Sequence, residues 1–244
     1  MRGAEGRSVA CELTIASYNI HKCVGNDGVF DPLRIKNVIL KLDADVVILQ
    51  EADARFGERE GLLDLDYLHL RGGYRSIFSP QRNSRSHGWH GNVVLYRNSV
   101  VNHVRQLKLP GLEPRGAIIV DFGIGGASFR LLAVHLGLLR RSRKRQVAAL
   151  IEAADPSPQR HVIVMGDMNE WRLERRSALN LLKSHFLEVS AQLPSYPSRY
   201  PVLALDRLFV SSGLKVESLS VVDTPLTRIA SDHLPVNATI SIES

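Results

Sequence analysis

Residues 162–171 read VIVMGDMNEW: four apolar residues and a glycine, then Asp167, Asn169 and Glu170. So short an apolar run, rich in β-branched side chains, reads as a buried strand. Gly166 lets the backbone bend, or come close to a neighbour, just before the polar cluster. If extended geometry persists past it, Asp167 and Asn169 project to the same side of the chain. A core strand would then deliver a cluster of oxygen-bearing side chains to a sheet edge.

The pattern repeats on both sides of this stretch. LTIASYNIH (13–21) alternates and ends in Asn19 and His21, DVVILQE (45–51) ends in Glu51, RLLAVHL (130–136) carries His135, and LDRLFVSS (205–212) opens on Asp206. GNVVLYR (91–97), VRQLKLP (104–110), GAIIVDF (116–122), 215–222 and PVNATISI (235–242) are further strand candidates. Turn chemistry between several of them argues antiparallel neighbours. Asp31-Pro32 supplies an N-cap and first-turn pair, and Ile35, Val38, Ile39 and Leu42 predict an amphipathic helix over 32–42. A second helix is predicted behind Ser142 as its cap, with Val147, Leu150, Ile151 and Ala154 as its apolar stripe, and a third around 173–184. The stretch 55–90 gives only a weak helix and a short strand near 74–78.

With 244 residues, 44% hydrophobic and 23% charged, the chain can bury a sizeable core and is not a disordered or fibrous sequence. No repeat, low-complexity linker or composition break divides it. A polar tail over 1–12 and a single domain over 13–244 are expected, with two packed, mainly antiparallel sheets covered by helices. Cys11 and Cys23 lack CxxC spacing, which argues against a zinc site or a disulfide framework. No stretch approaches the ~18 apolar residues that would span a bilayer. The N-terminus also lacks a signal peptide's apolar run, so a cytoplasmic monomer without membrane insertion is expected. A net charge of +6 favours polyanionic partners, nucleic acid or anionic lipid.

Carboxylates and an amide oxygen without a thiolate form a hard donor set, suited to Mg²⁺, Mn²⁺ or Ca²⁺ rather than zinc. Singly, each group has an ordinary alternative: Asp167 or Asn169 as a helix cap, Glu51 in a solvated loop, His135 as a hydrogen-bonded core histidine. Jointly, Asn19 in SYNIH, Gln50-Glu51 in VILQEAD, His135 in AVHLGL, MGDMNEW, LDRLF and Ser231-Asp232-His233-Leu234-Pro235 resemble an ordered motif series. It is that of the endonuclease/exonuclease/phosphatase superfamily, which includes deoxyribonuclease I, abasic-site exonucleases, sphingomyelinases and inositol-polyphosphate 5-phosphatases. The resemblance runs from about residue 13 to 240. Within it, YNIHK, Gly91-Asn92, Glu113-Pro114-Arg115-Gly116 and Pro197-Ser198-Arg199 resemble a small bacterial branch.

The resemblance implies an α/β (α+β) fold of deoxyribonuclease I type, a four-layer α-β-β-α sandwich with its site at one edge of both sheets. It implies that Glu51, assisted by Asn19, holds Mg²⁺ (or Mn²⁺) against a phosphate oxygen, with Asp167, Asn169 and Asp232 beside it. Asp206 would bond His233 and favour its charged form, while His135 would face the opposite side of the phosphorus. The deoxyribonuclease I counterpart of His135 has an acidic partner, and the strand over 91–97 offers none. Asn92, Arg115 and Arg199 are candidate substrate contacts. So are Arg140 and Arg141, which open a basic run read equally well as a solvated helix face. Trp89, with His87 and His90, could stack on a base or a lipid headgroup, or pack within its loop.

The implied reaction is in-line attack of water on a phosphodiester, with DNA or RNA as one substrate class and a phospholipid headgroup or small phosphoester as another. The base is either His233 with Asp206, or Asp167. The alternatives are a phosphomonoesterase of inositol-phosphate type and a catalytically silent polyanion-binding module.

Overall fold

Backbone pairing sorts the strands into two sheets of six in the computed structural model, which describes residues 11–54, 57–77, 85–156, 160–172, 174–190 and 193–242. The first runs β11 (Leu214–Val221), β12 (Val236–Ile242), β1 (Cys11–Asn19), β2 (Val46–Gln50), β4 (Val93–Tyr96), β3 (Arg75–Ser76). The second runs β5 (Val100–Leu109), β6 (Arg115–Ile124), β7 (Ala127–His135), β8 (His161–Asp167), β10 (Asp206–Val210), β9 (Leu187–Glu188). Each sheet holds one parallel pair, β1 with β2 and β7 with β8, and the other pairings are antiparallel. Parallel neighbours need a crossover. Here the connections contain α1 (Pro32–Leu42) and α3 (Arg140–Ala154).

The two-residue alternation along each strand explains the layers. Leu13, Ile15, Val46, Ile48, Ile163 and Met165 face inward into a core shared by both sheets, where Phe122 and Phe129 stack with ring centroids 5.2 Å apart. The intervening Ala16, Tyr18, Val47 and Leu49 pack outward under α1 and α2 (Leu65–Gly72). Val162 and Val164 pack outward under α3 and α4 (Asn180–Lys183). Strands buried on both faces read as unbroken apolar runs, which accounts for VIVM. Each fully buried Val, Leu or Ile contributes about 1.5–3 kcal/mol by leaving water.

The helix over 32–42 forms as expected, with the Asp31 side chain accepting the Arg34 N–H at 2.9 Å. Three other expectations change. β1 begins at Cys11, inside the expected 1–12 tail, because Cys11 and Glu12 continue the ladder opposite Ile242 and Ser241; residues 1–10 lie outside the described residues. Ser142 does not cap α3: the N-cap is Leu139, without a side-chain bond, and Ser142 is buried one turn in. That helix start is held from within instead, by Gln146 accepting the Gly137 N–H and Arg143 donating to the Gly137 and Leu138 carbonyls. The helix expected over 173–184 is broken into a 3-10 turn (Glu174–Arg176) and α4, because Glu170 draws in the N–H groups of Arg172 and Ala178. No helix among the described residues is long and apolar enough to cross a membrane.

Candidate active site

Strand register brings the site together. In the second sheet His135 pairs with Asp167, and Asp167 with Asp206, so three chemical groups lie side by side on β7, β8 and β10. In the first sheet Asn19 pairs with Gln50, leaving Glu51 just past the same edge. Gly166 makes the close approach possible: at its φ of 148° an added Cβ would stand 1.9 Å from the Val134 carbonyl oxygen. Only glycine tolerates that, one residue before Asp167.

Asp167 is buried and central. Its Oδ2 accepts from Asn19 Nδ2 at 3.0 Å and lies 3.4 Å from His135 Nε2 and 3.9 Å from His233 Nε2. Oδ1 accepts the Asn169 N–H at 2.9 Å. Asn169 therefore does not continue an extended strand: at φ 51° it turns back, and its amide donates to the Leu136 carbonyl at 3.0 Å. Glu170 leaves the cluster altogether, its carboxylate buried against Arg143 at 3.3 Å. Of the three polar groups that close VIVMGDMNEW, two serve the site and one anchors the loop behind it.

His233 sits on the loop ahead of β12, its Nδ1 2.8 Å from Asp206 Oδ2. Asp206 is fully buried and also accepts from Ser195 Oγ at 2.5 Å. Burial works hardest against a charged ring here, yet Asp206 and Asp167 together outweigh it and push the His233 pKa up to about 10. Burial likewise lifts Asp167 to about 6, with His233 opposing the shift. His135 goes the other way: burial, then the Arg115 guanidinium, push its pKa well below the ordinary imidazole value. The two histidines flanking Asp167 are thus shifted in opposite directions.

The loop is locked by one hydroxyl and one backbone amide. Ser231 Oγ donates to the Asn19 carbonyl at 2.7 Å, and the Ser198 N–H donates to the Asp232 carbonyl at 2.7 Å. Arg199 beside it donates to the Asn26 carbonyl at 2.6 Å and does not line the pocket.

On the other sheet Glu51, itself at φ 54°, carries the ammonium of Lys22 on Oε2. Burial would raise the Glu51 pKa, but Lys22 holds it below the ordinary carboxylate range. Asp232 lies 3.9 Å from His21 Nδ1. Arg115 Nη1 stands 2.8 Å from Nε2 and 2.9 Å from Nδ1 of His135, and Glu113 steadies its guanidinium at 3.2 Å. The flank of His135 that lacks an acid in the 91–97 strand is thus occupied by an arginine.

Asp167 and its two histidines, with Glu51, Lys22, Arg115 and Asp232, share a pocket of about 510 Å³ with Leu138, Trp171, Tyr196 and Leu203 on its apolar wall. Asn92, Arg140 and Arg141 do not line it. Asn92 is buried and donates to the Gly116 carbonyl at 2.9 Å, clasping one sheet to the other, while Arg140 donates to the Arg176 carbonyl at 2.8 Å. Trp89 packs against the inter-sheet core and donates to the Leu107 carbonyl at 3.2 Å, a packing role rather than a stacking platform. Lys22, Glu113, Ser195, Trp171 and Tyr196 were not singled out by sequence. Three of them lay inside quoted motifs, Lys22 in YNIHK, Glu113 before Pro114-Arg115-Gly116 and Trp171 at the end of MGDMNEW, without a role attached.

Among the described residues no three His, Cys, Asp or Glu side chains form a ready-made metal cage. The donors that are present still fit a hard dication. Glu51 faces the pocket and accepts a cationic group, and Asn19 and Asp232 add oxygen donors in the same pocket. Mg²⁺ takes one or two carboxylates and keeps several waters.

Two packed six-stranded sheets, with carboxylate and histidine groups gathered in a pocket at one edge, make an α/β sandwich. The family model described as Endonuclease/Exonuclease/phosphatase family matches residues 16–233, and the chain belongs to that family. It is 28% identical over 222 residues to the uncharacterized protein YbhP of Escherichia coli, covering 85% of this chain and 87% of that protein. Solved structures agree. An endonuclease/exonuclease/phosphatase from Beutenbergia cavernae superposes with TM-score 0.74 at 23% identity, over 96% of this chain and 72% of that one. D. rerio TDP2 complexed with single strand DNA product gives 0.71 at 17% identity, over 94% and 98%. A mannosyl-6-phosphatase from Bacteroides thetaiotaomicron gives 0.71 at 17%, over 93% and 99%. At these identities the structural likeness speaks for the fold.

Proposed function

We propose that the protein is a divalent-metal-dependent phosphoesterase that hydrolyses a phosphodiester by in-line attack of water. The observation that carries this reading is Asp167, held 3.4 Å from His135 Nε2 and 3.9 Å from His233 Nε2 in a pocket that also presents Glu51. A Mg²⁺ or Mn²⁺ ion held by Glu51, with Asn19 and Asp232 beside it, would neutralise charge on the phosphate oxygens.

The chain's own groups supply the rest. Asp167, poised near neutrality and anchored by the Asn19 amide, takes the proton of the attacking water. His233, fixed through Nδ1 by Asp206, points its Nε2 toward Asp167 and offers an imidazolium to a non-bridging oxygen. His135 and Arg115 take the leaving side, where the guanidinium offsets charge building on the departing oxygen. One solved relative is named with a single strand DNA product and another as a mannosyl-6-phosphatase, which supports testing nucleic acid and phosphomonoester substrates alike. The net charge of +6 favours polyanions such as DNA or RNA, or an anionic lipid headgroup.

The test is hydrolysis of bis-p-nitrophenyl phosphate with Mg²⁺, with Mn²⁺ and after EDTA. Asp167→Ala and His233→Ala should each lower the rate by roughly 10²–10⁴-fold, the range for a positioned acid or base. Parent-like rates in both variants end the enzyme reading. A panel of supercoiled DNA, abasic duplex, single-stranded RNA, lysophospholipid and inositol phosphates then sorts the substrate classes.

A further inference from the structure

Lys22 stands outside the roles assigned above, yet it is the cation in direct contact with the proposed metal carboxylate. Its backbone is unusual: His21, Lys22 and Cys23 lie at φ 44°, 54° and 60°, three consecutive left-handed residues that all carry a Cβ. Such conformations cost free energy and persist where the surroundings over-determine them, commonly at functional sites. Here the constraint is visible. Ile20 N–H donates to the Gln50 carbonyl at 3.0 Å and Lys22 N–H to the Glu51 carbonyl at 3.2 Å, so the turn is stitched to the segment that bears Glu51. Both members of the ion pair thus sit on left-handed residues bonded to each other.

The pair also lies at a junction. Lys22, Glu51, Arg115 and His135 line the main pocket and at the same time an adjoining recess that continues to Arg59 and His90. The Lys22 side chain is 35% exposed, so its ammonium has open space to move into. A four-carbon stem with a rotatable donor can make that move without a backbone change.

We propose that Lys22 is a built-in competitor for the divalent cation at Glu51, and that on metal binding its ammonium is handed over to a non-bridging oxygen of the substrate phosphate. The inference rests on the metal-dependent reading of the site. The ammonium on Oε2 already offsets the Glu51 charge and repels a dication arriving at the same carboxylate, so metal entry at Oε2 proceeds at the expense of the Lys22 bond. Breaking it leaves a cation beside the place where phosphate charge arrives. The fold thereby discourages metal uptake in isolation and couples it to substrate.

Mn²⁺ binding, read without substrate from the loss of the free-ion EPR signal, tests the first half. Lys22→Met and Lys22→Gln should each bind Mn²⁺ about tenfold more tightly than the parent, the worth of one charge-assisted bond at a partly exposed site. Lys22→Arg, which keeps the charge, should remain near the parent, and Glu51→Gln should bind more weakly. Equal affinity in parent, Lys22→Met and Lys22→Gln overturns the inference and leaves metal dependence standing; no Mn²⁺ binding in any of them overturns both. At saturating Mn²⁺, competitive inhibition by inorganic phosphate should weaken several-fold in Lys22→Met and recover in Lys22→Arg. Unchanged inhibition refutes the handover.

Discussion

Replacing Asp206 by Asn keeps the shape of the side chain and removes its charge. In the parent, Asp206 is fully buried, 2.8 Å from His233 Nδ1 and bonded by Ser195. Among the influences on His233, burial is the largest and opposes the imidazolium, and Asp206 leads the groups that overcome it. An opposite charge at contact distance moves a pKa by roughly 1–3 units. His233 in Asp206→Asn should therefore titrate roughly 1–3 units below the parent's value of about 10, equivalent to about 1.4–4 kcal/mol. The sign of the stability effect follows. The folded pKa lies above the ordinary 6.5, so this contribution is fully present below about pH 6.5 and is lost as pH rises through about 10. In the variant the loss moves to lower pH and is smaller, so the stability gap between parent and variant should be widest at pH 6 and narrow toward pH 10. Histidine NMR titration reads the pKa directly, urea unfolding at both pH values reads the gap, and bis-p-nitrophenyl phosphate hydrolysis reads the chemistry. Because Asp167 lies 3.9 Å from Nε2, the titration is to be fitted as a coupled pair. If His233 titrates in the variant where it does in the parent, Asp206 is not the group that charges it and the reasoning fails.

Glu170→Ala should destabilise the fold by about 3–5 kcal/mol without touching the pocket, since it leaves the fully buried guanidinium of Arg143 without a counter-charge and frees the Ala178 N–H. A urea-unfolding loss below ~1 kcal/mol would show that Arg143 finds other partners. Gly166→Ala should cost more than the ~1–3 kcal/mol of backbone strain alone, because its Cβ would meet the Val134 carbonyl at 1.9 Å. A parent-like melting temperature by circular dichroism would contradict the β7–β8 register.

The chain announces what local physics controls. Two-residue alternation and buried apolar runs mark the strands, Asp31-Pro32 marks the start of α1, and polar residues at strand ends mark Asn19, Glu51, His135, Asp167 and Asp206. These features depend on side-chain direction and capping within a few residues, so they are visible before any partner is known. Contacts made across the fold are not visible in that way. Glu170 looks like a third oxygen ligand and proves to hold Arg143; Ser142 looks like a cap and is buried; Asn92 looks like a substrate contact and clasps Gly116. Ser195 on Asp206, Arg115 on His135 and Lys22 on Glu51 join residues 11, 20 and 29 positions apart. Their meeting depends on strand register and on the route of each loop, and no short-range pattern encodes either. Alternation and capping are properties of neighbours in the chain, whereas the charge state of His233 and the cation on Glu51 are properties of neighbours in space.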